Sequence, residues 1–210
     1  MNNSLQEYLN FANKLADAAG NTSMEYFRTS LSIDNKNDES PVTIADKNTE
    51  LKIRSMIEKE YPDHGILGEE FDSINSDAEF IWVIDPIDGT RSYIAGHKDF
   101  GNLISLTQNK KPIIGIINCP AHNERWVGVK NLNSTINQKP AKSSNVINIE
   151  DAYLFTSGLY FDEPHLRGAV EKINNKVRYF RYGGDCYMYG MLASGLIDIV
   201  IEDTLKVHDY

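Results

Sequence analysis

Two aspartates, Asp85 and Asp88, stand three residues apart in the segment DPIDGT, directly after the apolar run FIWVI. Hard divalent cations such as Mg²⁺ prefer oxygen ligands, take them from a few carboxylates, and leave positions for water and phosphate oxygens. The pattern therefore indicates a metal site on a stiff turn at the end of a strand. The alternative is an ordinary turn, because Asp, Pro and Gly dominate turns for local backbone reasons.

Acidic residues elsewhere in the chain favour the metal site. Glu69 lies in the segment GEE after a strand-like run, and Asp209 follows another apolar run. Three strand ends are therefore expected to supply carboxylates to one place. The histidines show no close metal-binding spacing, which favours structural or solvated positions for them. They are His64, His97, His122, His165 and His208.

The periodicity of the apolar residues predicts the elements that carry these groups. Apolar residues recur at helical spacing over residues 5–27, and again after PVTIAD in a helix that is expected to end near Tyr61-Pro62. Between these helices, SIDNKNDES is expected to be a mobile loop. The runs HGILGEE and EFIWVID are typical of strands, and NLISLTQ, KPIIGIINCP and ERWVGVK predict an antiparallel meander.

The rest of the chain predicts a second group of elements. Strands are expected at AYLFTS, VRYFRY and IDIVIE, with helices over residues 163–174 and 186–194 between them. The polar stretch 131–150 is expected to join an N-terminal half, 1–130, which carries most of the candidate ligands, to a C-terminal half, 151–210. Mixed strands and helices predict a layered α/β (mixed α+β) domain.

Composition limits the classes of partner. The formal net charge of −9 over 210 residues provides no uniform positive field for a nucleic-acid backbone or an anionic membrane. Neither Cys119 nor Cys186 belongs to a close-spaced zinc ligand pair, so both are expected to be buried thiols. The N-terminus lacks a secretory signal pattern, and no run approaches the ~20 apolar residues that span a bilayer. A cytoplasmic location is expected.

Four motifs occur in an order that resembles the inositol monophosphatase-like metal-dependent phosphatases. They are PVTIAD, GEE, WVIDPIDGTRSYIAG and GDCYMYGMLASGLIDIVIEDTLKVHD, and they extend over nearly the whole chain. The resemblance implies a layered α-β-α-β-α sandwich and hydrolysis of a phosphomonoester on a small metabolite. It also implies two or three magnesium ions, since paired ions are a recurrent device for activating water at phosphate.

The resemblance assigns roles residue by residue. The implied magnesium ligands are Glu69, Asp85, Asp88, Asp209 and the carbonyl of Ile87. Asp46 and Thr90 match the pair that positions and deprotonates the attacking water, and Glu69 is counted with them as catalytic. The backbone N–H groups of Gly89 and Thr90 match the phosphate-binding position, where glycine permits close approach.

The stretch from Tyr182 to Asp209 is more similar to the histidinol-phosphate phosphatase branch. Asp185 is expected to pair with the cationic amine or imidazole of histidinol phosphate, and Glu202 matches the position that contacts the organic moiety. A helix cap is the alternative explanation for Asp185, because Asp is a preferred N-cap residue. Inositol phosphate is the alternative substrate.

The resemblance also raises an expectation about the end of the chain. The family normally continues beyond the aspartate that corresponds to Asp209, so the sequence is expected to be a truncated product, or to have its core covered by another element. A different class of function follows from this expectation, namely a domain that binds metal, phosphate or a partner without turnover. A homodimer is implied by the resemblance alone.

Overall fold

A computed structural model describes residues 3–30, 33–35, 41–158, 164–203 and 205–209. The helices are α1 (Asn3–Tyr26), α2 (Ile44–Glu60), α3 (Thr90–Ile94), α4 (Pro164–Asn174) and α5 (Asp185–Ala193), with a 3-10 turn at Ile149–Asp151. The strands are β1 (Ile33–Asn35), β2 (Pro41–Thr43), β3 (Gly65–Gly68), β4 (Phe80–Asp88), β5 (Gly101–Gln108), β6 (Lys111–Cys119), β7 (Glu124–Val129), β8 (Thr135–Ile136), β9 (Lys139–Pro140), β10 (Tyr153–Thr156), β11 (Tyr179–Tyr182) and β12 (Ile199–Val200).

Helices α1 and α2 pack together on one face of a large sheet. Their apolar faces meet Trp82 and Ile104 of the sheet in the main core, where Leu15, Ile53 and Ile57 are fully buried. This burial follows from the helical spacing of the apolar residues in both segments. Both helices confirm the sequence prediction, and α2 ends at Glu60, two residues before the proline.

The large sheet has the strand order β3-β4-β5-β6-β7-β8-β9. Strand β3 pairs with β4 in parallel, and the following pairs are antiparallel, so the predicted meander is confirmed. At the turn between β5 and β6, Asn109 and Lys110 have φ angles of 49° and 62°. Positive φ at both positions is what a tight two-residue hairpin requires.

A smaller sheet with the order β11-β10-β12 forms from the second half of the chain, and its strands are parallel. Helix α4 connects β10 to β11, and α5 connects β11 to β12, as parallel pairing requires crossover connections. The segment IDIVIE forms a strand only at Ile199–Val200. The mixed α+β architecture predicted from the sequence is confirmed.

Two local predictions need correction, and a third falls partly outside the described residues. Part of the expected loop SIDNKNDES, Ile33–Asn35, is a strand that pairs with Pro41–Thr43, and residues 32 and 36–40 lie outside the described residues. The polar stretch 131–150 contains β8 and β9, which extend the large sheet through a pairing with β7. Residue 163, the predicted start of a helix, lies outside the described residues, and α4 is described from Pro164. The division into two halves remains a prediction.

The two cysteines are buried free thiols, as predicted, and share a small core with Trp126. Among the helices that the structure describes, none combines the length and apolar content that crossing a membrane requires. The cytoplasmic location and the homodimer remain predictions.

Candidate functional site

The DPID segment is a bulge within a strand. Strand β4 continues through Asp88, and its pairing with β5 shifts register between Asp85 and Asp88. The prediction that Asp85 ends a strand is therefore wrong, because three backbone steps of β4 face only two of β5. A β-bulge bends a strand locally and re-aims its side chains, which is why two carboxylates three residues apart can face the same cavity.

Hydrogen bonds fix both carboxylates of the bulge. Asp85 is 2% exposed, and its Oδ1 accepts the N–H of Ile87 at 3.0 Å. Asp88 Oδ2 accepts the N–H of Cys186, in the first turn of α5, at 2.6 Å. The carbonyl of Ile87 accepts the hydroxyl of Thr90 at 3.1 Å. The bulge is thus connected to both α3 and α5.

Other elements bring further acidic groups to the bulge. Carboxylate oxygens of Asp85, Asp88 and Asp209 lie within 4.8 Å of one another. Ligand atoms of Glu69, Asp85 and His208 form a second group within the same distance. The structure therefore brings together all four side chains that the resemblance implies as magnesium ligands, from the residue after β3, from β4 and from residues 205–209.

The carboxyl groups of the bulge are hard to ionise in the protein alone. Burial, followed by the neighbouring carboxylates of Glu69, Asp88 and Asp209, raises the pKa of Asp85 well above its usual range. Burial and the charge of Asp185 raise the pKa of Asp88 to about 7. Buried charges in proteins are normally paired or coordinate a metal. The cluster offers several carboxylate oxygens, and its buried negative charges need a positive charge beside them. Both features fit a divalent cation such as Mg²⁺, which prefers oxygen ligands.

A cavity of about 150 Å³ lies against this cluster. Its lining includes the Ile87, Gly89 and Thr90 positions of the bulge and its turn, together with Lys206 and His208. Sequence reasoning placed His208 among structural or solvated histidines and did not consider Lys206. The available signal was that both residues are close to Asp209 in the sequence. Sequence proximity does not show that either side chain faces the cavity.

Asp46 and Thr90 lie close together, as the resemblance implies. Asp46 Oδ2 accepts both the backbone N–H (2.8 Å) and the hydroxyl (2.6 Å) of Thr43, which forms the N-terminal capping box of α2. The hydroxyl of Thr90 reaches Asp46 Oδ1 at 3.4 Å. Burial raises the pKa of Asp46 from its ordinary value. Helix α2 therefore holds one oxygen of this carboxylate and leaves the other facing Thr90.

Gly89 provides the turn that connects the bulge to α3. Its φ of 78° lies in the left-handed region that favours glycine. A Cβ atom at this position would lie 2.9 Å from the Cβ of Asp185, so the close approach of α5 also requires glycine.

Asp185 does not cap its helix. The N-cap position of α5 is Gly184, and Asp185 is the first helical residue, with a φ of 40°. Its Oδ2 accepts the hydroxyl of Ser92 at 2.5 Å, and burial raises its pKa. The capping alternative is therefore wrong, and the carboxylate is directed toward α3 beside Gly89.

Glu202 lies apart from the acidic cavity. Its Oε1 accepts the N–H of Ser157 at 3.1 Å and also the Ser157 hydroxyl, and its Oε2 accepts the hydroxyl of Tyr189 at 3.0 Å. The charge of Glu202 contributes to the raised pKa of Asp185, which indicates that the two carboxylates are electrostatic neighbours.

Comparisons with known proteins identify the family of this chain. The model of the inositol monophosphatase family matches residues 4–210. The bifunctional phosphatase IMPL2 of Arabidopsis thaliana, described as chloroplastic, is 39% identical over 98% of this chain, which spans 60% of its length. A histidinol-phosphatase of Chlorobaculum parvum is 35% identical over 96% of this chain and 78% of its own length.

A solved structure gives the same result for the fold. An inositol monophosphatase from Zymomonas mobilis superposes with a TM-score of 0.88 at 40% identity, over 100% of this chain and 81% of that one. The family match over almost the whole chain, together with these relatives, shows that the chain belongs to the inositol monophosphatase family, whose members are phosphoric monoester hydrolases.

Proposed function

We propose that this chain is a magnesium-dependent phosphomonoesterase and that histidinol phosphate is its substrate. The convergence of Asp85, Asp88 and Asp209 within 4.8 Å is the observation that supports the reaction. These carboxylates face a cavity of about 150 Å³, which is small for a whole metabolite. The cavity therefore suits the phosphate, and the organic moiety is expected to extend out of it.

The acidic residues hold the magnesium in this proposal. The ligands are Glu69, Asp85, Asp88, Asp209 and the Ile87 carbonyl, whose oxygens meet the preference of this cation. Bound magnesium supplies positive charge that offsets the phosphate oxygens and acidifies water. The backbone N–H groups of Gly89 and Thr90 orient the phosphate, and Lys206, which lines the same cavity, adds a cation beside it.

Asp46 and Thr90 receive the proton of the attacking water. Thr90 Oγ1 lies between the cavity and Asp46 Oδ1, so its hydroxyl can pass a proton to that oxygen as it takes one from water. The raised pKa of Asp46 makes its carboxylate a better proton acceptor. The water oxygen then attacks phosphorus, the phosphorus–oxygen bond to the organic moiety breaks, and the leaving oxygen takes a proton from solvent water to depart as the alcohol.

Asp185 supports histidinol phosphate over other substrates. Its carboxylate lies beside Gly89, at the edge of the proposed phosphate position, where it can pair with the substrate's amine or imidazolium group. Glu202, an electrostatic neighbour of Asp185, is the second candidate contact to the organic moiety. The relatives named as histidinol-phosphatases support the same substrate.

Inositol 1-phosphate is the second candidate substrate. The structural relative at 40% identity is named an inositol monophosphatase, and its substrate class carries hydroxyl groups rather than cations. Hydroxyl groups bind a carboxylate more weakly than a cation does. Asp185 therefore favours the cationic substrate.

Phosphate release from histidinol phosphate, inositol 1-phosphate and an aryl phosphate, each with and without Mg²⁺, tests the proposal. We expect magnesium-dependent turnover with the highest kcat/KM for histidinol phosphate. A preference for inositol 1-phosphate would overturn the substrate assignment alone. Magnesium binding without turnover of any of the three would instead support a binding domain.

A further inference from the structure

Asn102 occupies a fully buried position on β5, next to the bulge that carries Asp85 and Asp88. It is 0% exposed, and its Nδ2 donates to the carbonyl of Pro86 at 2.7 Å. The same amide nitrogen lies 3.3 Å from the hydroxyl of Ser23 on α1. The Asn102 amide therefore contacts Pro86, in the middle of the bulge, and Asn102 does not line the acidic cavity.

The contact lies where the sheet hydrogen bonding is interrupted. Asp85 pairs with Leu103 and Asp88 pairs with Gly101, so Asn102 is the single residue of β5 opposite Pro86 and Ile87. A bulge disrupts the ladder locally, and proline has no N–H to contribute. The side chain of Asn102 thus supplies a donor at the point where backbone pairing is least able to fix the strand.

Two further residues determine which way the Asn102 amide faces. Asn118 Nδ2 donates to Asn102 Oδ1 at 2.8 Å, and Asn118 Oδ1 accepts the Nε–H of Arg125 at 2.9 Å. A guanidinium can only donate and a carbonyl can only accept. Arg125 at one end must donate and the Pro86 carbonyl at the other end must accept. The side-chain amides of Asn118 and Asn102 can therefore each adopt only one orientation, and exchanging the oxygen and nitrogen of either amide is excluded.

The series is anchored on α1 at its outer end. The guanidinium of Arg125 donates to Asp17 Oδ1 at 2.7 Å and to Asn13 Oδ1 at 3.2 Å. Asn118 Nδ2 also donates to the carbonyl of Ala16 at 3.1 Å. The Pro86 carbonyl is thus connected through three side chains to a helix packed in the main core.

We propose that Asn102 is a positioning residue for the magnesium site, and that Asn118 and Arg125 act through it by fixing the direction of its amide. By holding the Pro86 carbonyl, Asn102 sets the separation and orientation of Asp85 and Asp88. Residues that orient metal ligands from behind typically change metal affinity about 10- to 100-fold when mutated. The inference rests on the proposed function, because it requires that the site binds magnesium.

Calorimetric titration with Mg²⁺, without substrate, tests this role in the whole chain. Asn102→Leu keeps the approximate shape and removes the donor, and we expect magnesium affinity to fall at least about tenfold. Thr107→Val is the matched control. Its hydroxyl donates to the Ile81 carbonyl at 3.2 Å, from the same strand β5 to the far end of β4. Thr107 is partly exposed and makes one such bond, so the control should lower the melting temperature less than Asn102→Leu does, and it should keep magnesium affinity within about twofold of wild type.

Asn118→Asp provides a second variant with intact shape. Arg125 keeps the new carboxyl group ionised and donates to one of its oxygens. The other oxygen replaces the Nδ2 that donates to Asn102 Oδ1 and to the Ala16 carbonyl, so it faces two acceptors until the Asn102 amide turns its Nδ2 toward it and away from Pro86. The change adds a negative charge, which by itself would strengthen cation binding. Weaker magnesium binding by this variant would therefore report the turned amide rather than the charge.

The outcomes separate the two proposals. If the wild-type chain binds no magnesium, the proposed function fails and this inference fails with it. If wild type binds magnesium and both variants bind within about twofold of it, the proposed function stands and the positioning role is overturned. If Asn102→Leu does not fold, Asn118→Asp decides the question. Weaker binding by the variants, with the control unchanged, supports the role.

Discussion

Replacing Asp185 by asparagine should change substrate preference without disturbing the site. Asparagine keeps an oxygen for the Ser92 hydroxyl, which Asp185 accepts at 2.5 Å, and tolerates the positive φ of 40° at this position. The contact with Gly89 is also retained because the side chains have the same shape. The variant therefore keeps the geometry and removes the negative charge beside the proposed phosphate position. The same charge raises the pKa of Asp88, but this effect on the magnesium ligand is common to both substrates, so their comparison isolates the contact with the substrate.

The size of the effect follows from the lost charge. A hydrogen bond to a charged group contributes about 1.5–3 kcal/mol, which corresponds to a factor of about 10 to 150 in kcat/KM. We expect that loss for histidinol phosphate and little change for inositol 1-phosphate. Stability should not fall, because burial raises the pKa of Asp185 and a neutral side chain avoids the cost of a buried charge.

The assay is phosphate release from both substrates at saturating Mg²⁺, compared with thermal melts. Asp77→Asn, the same change at an exposed position, is the control and should leave both kcat/KM values unaltered. An equal loss of kcat/KM for both substrates would show that Asp185 maintains the structure of the site and does not select the substrate. An unchanged ratio would remove the physical basis for preferring the cationic substrate.

Three other changes test the remaining parts of the structure. Asp85→Asn should abolish magnesium-dependent turnover with an unchanged circular dichroism spectrum, because it removes a carboxylate charge from the centre of the cluster; equal turnover would contradict the metal site. Gly68→Ala should lower the free energy of unfolding by about 1–3 kcal/mol in urea titrations, because the new Cβ would overlap the buried carboxylate of Glu50 and displace it from Arg54, whereas Gly115→Ala meets no atom within 4 Å and should cost far less. Burial lowers the pKa of His64 from 6.5, so the unfolded chain takes up this proton first as pH falls, and the contribution of His64 to stability is complete well above pH 6.5 and declines below it. Asp88 titrates in the same range in both chains, so the test is the difference in free energy of unfolding between wild type and His64→Gln, which should shrink in urea titrations from pH 8 to pH 5.5.

The helices and the meander were predictable because local sequence determines them. In α1 and α2, apolar residues repeat with the helical period, and each repeat is buried against the same sheet. At the β5–β6 turn, Asn109 and Lys110 mark the hairpin. The family resemblance selected the site carboxylates, and periodicity alone would have left Asp85 and Asp88 as possible turn residues.

The bulge was not predictable from the same signals. The letters Asp-Pro-x-Asp-Gly are typical of a turn, and the sequence does not show that β5 continues to pair with β4 beyond Asp85. At the bulge, the Asn102 amide of β5 donates to the Pro86 carbonyl from another part of the chain. Nor could the sequence place His208 beside Glu69, because that contact joins segments far apart in the chain. Contacts between polar side chains that are far apart in the chain produce no periodic pattern in the sequence.

Helix α2 explains how one buried element serves two parts of the site. Asp46 lies in its first turn, and Glu50, one turn later, accepts the N–H of Glu70 at 2.8 Å, directly after Glu69. Four residues of helix span about 6 Å, so the two contacts have a spacing set by helix geometry rather than by loops. The same face of α2 continues into the main core through the buried Ile53, one turn after Glu50. A shift of α2 would therefore cost buried apolar contacts, and this cost resists the mutual repulsion of carboxylates that would otherwise spread the site apart.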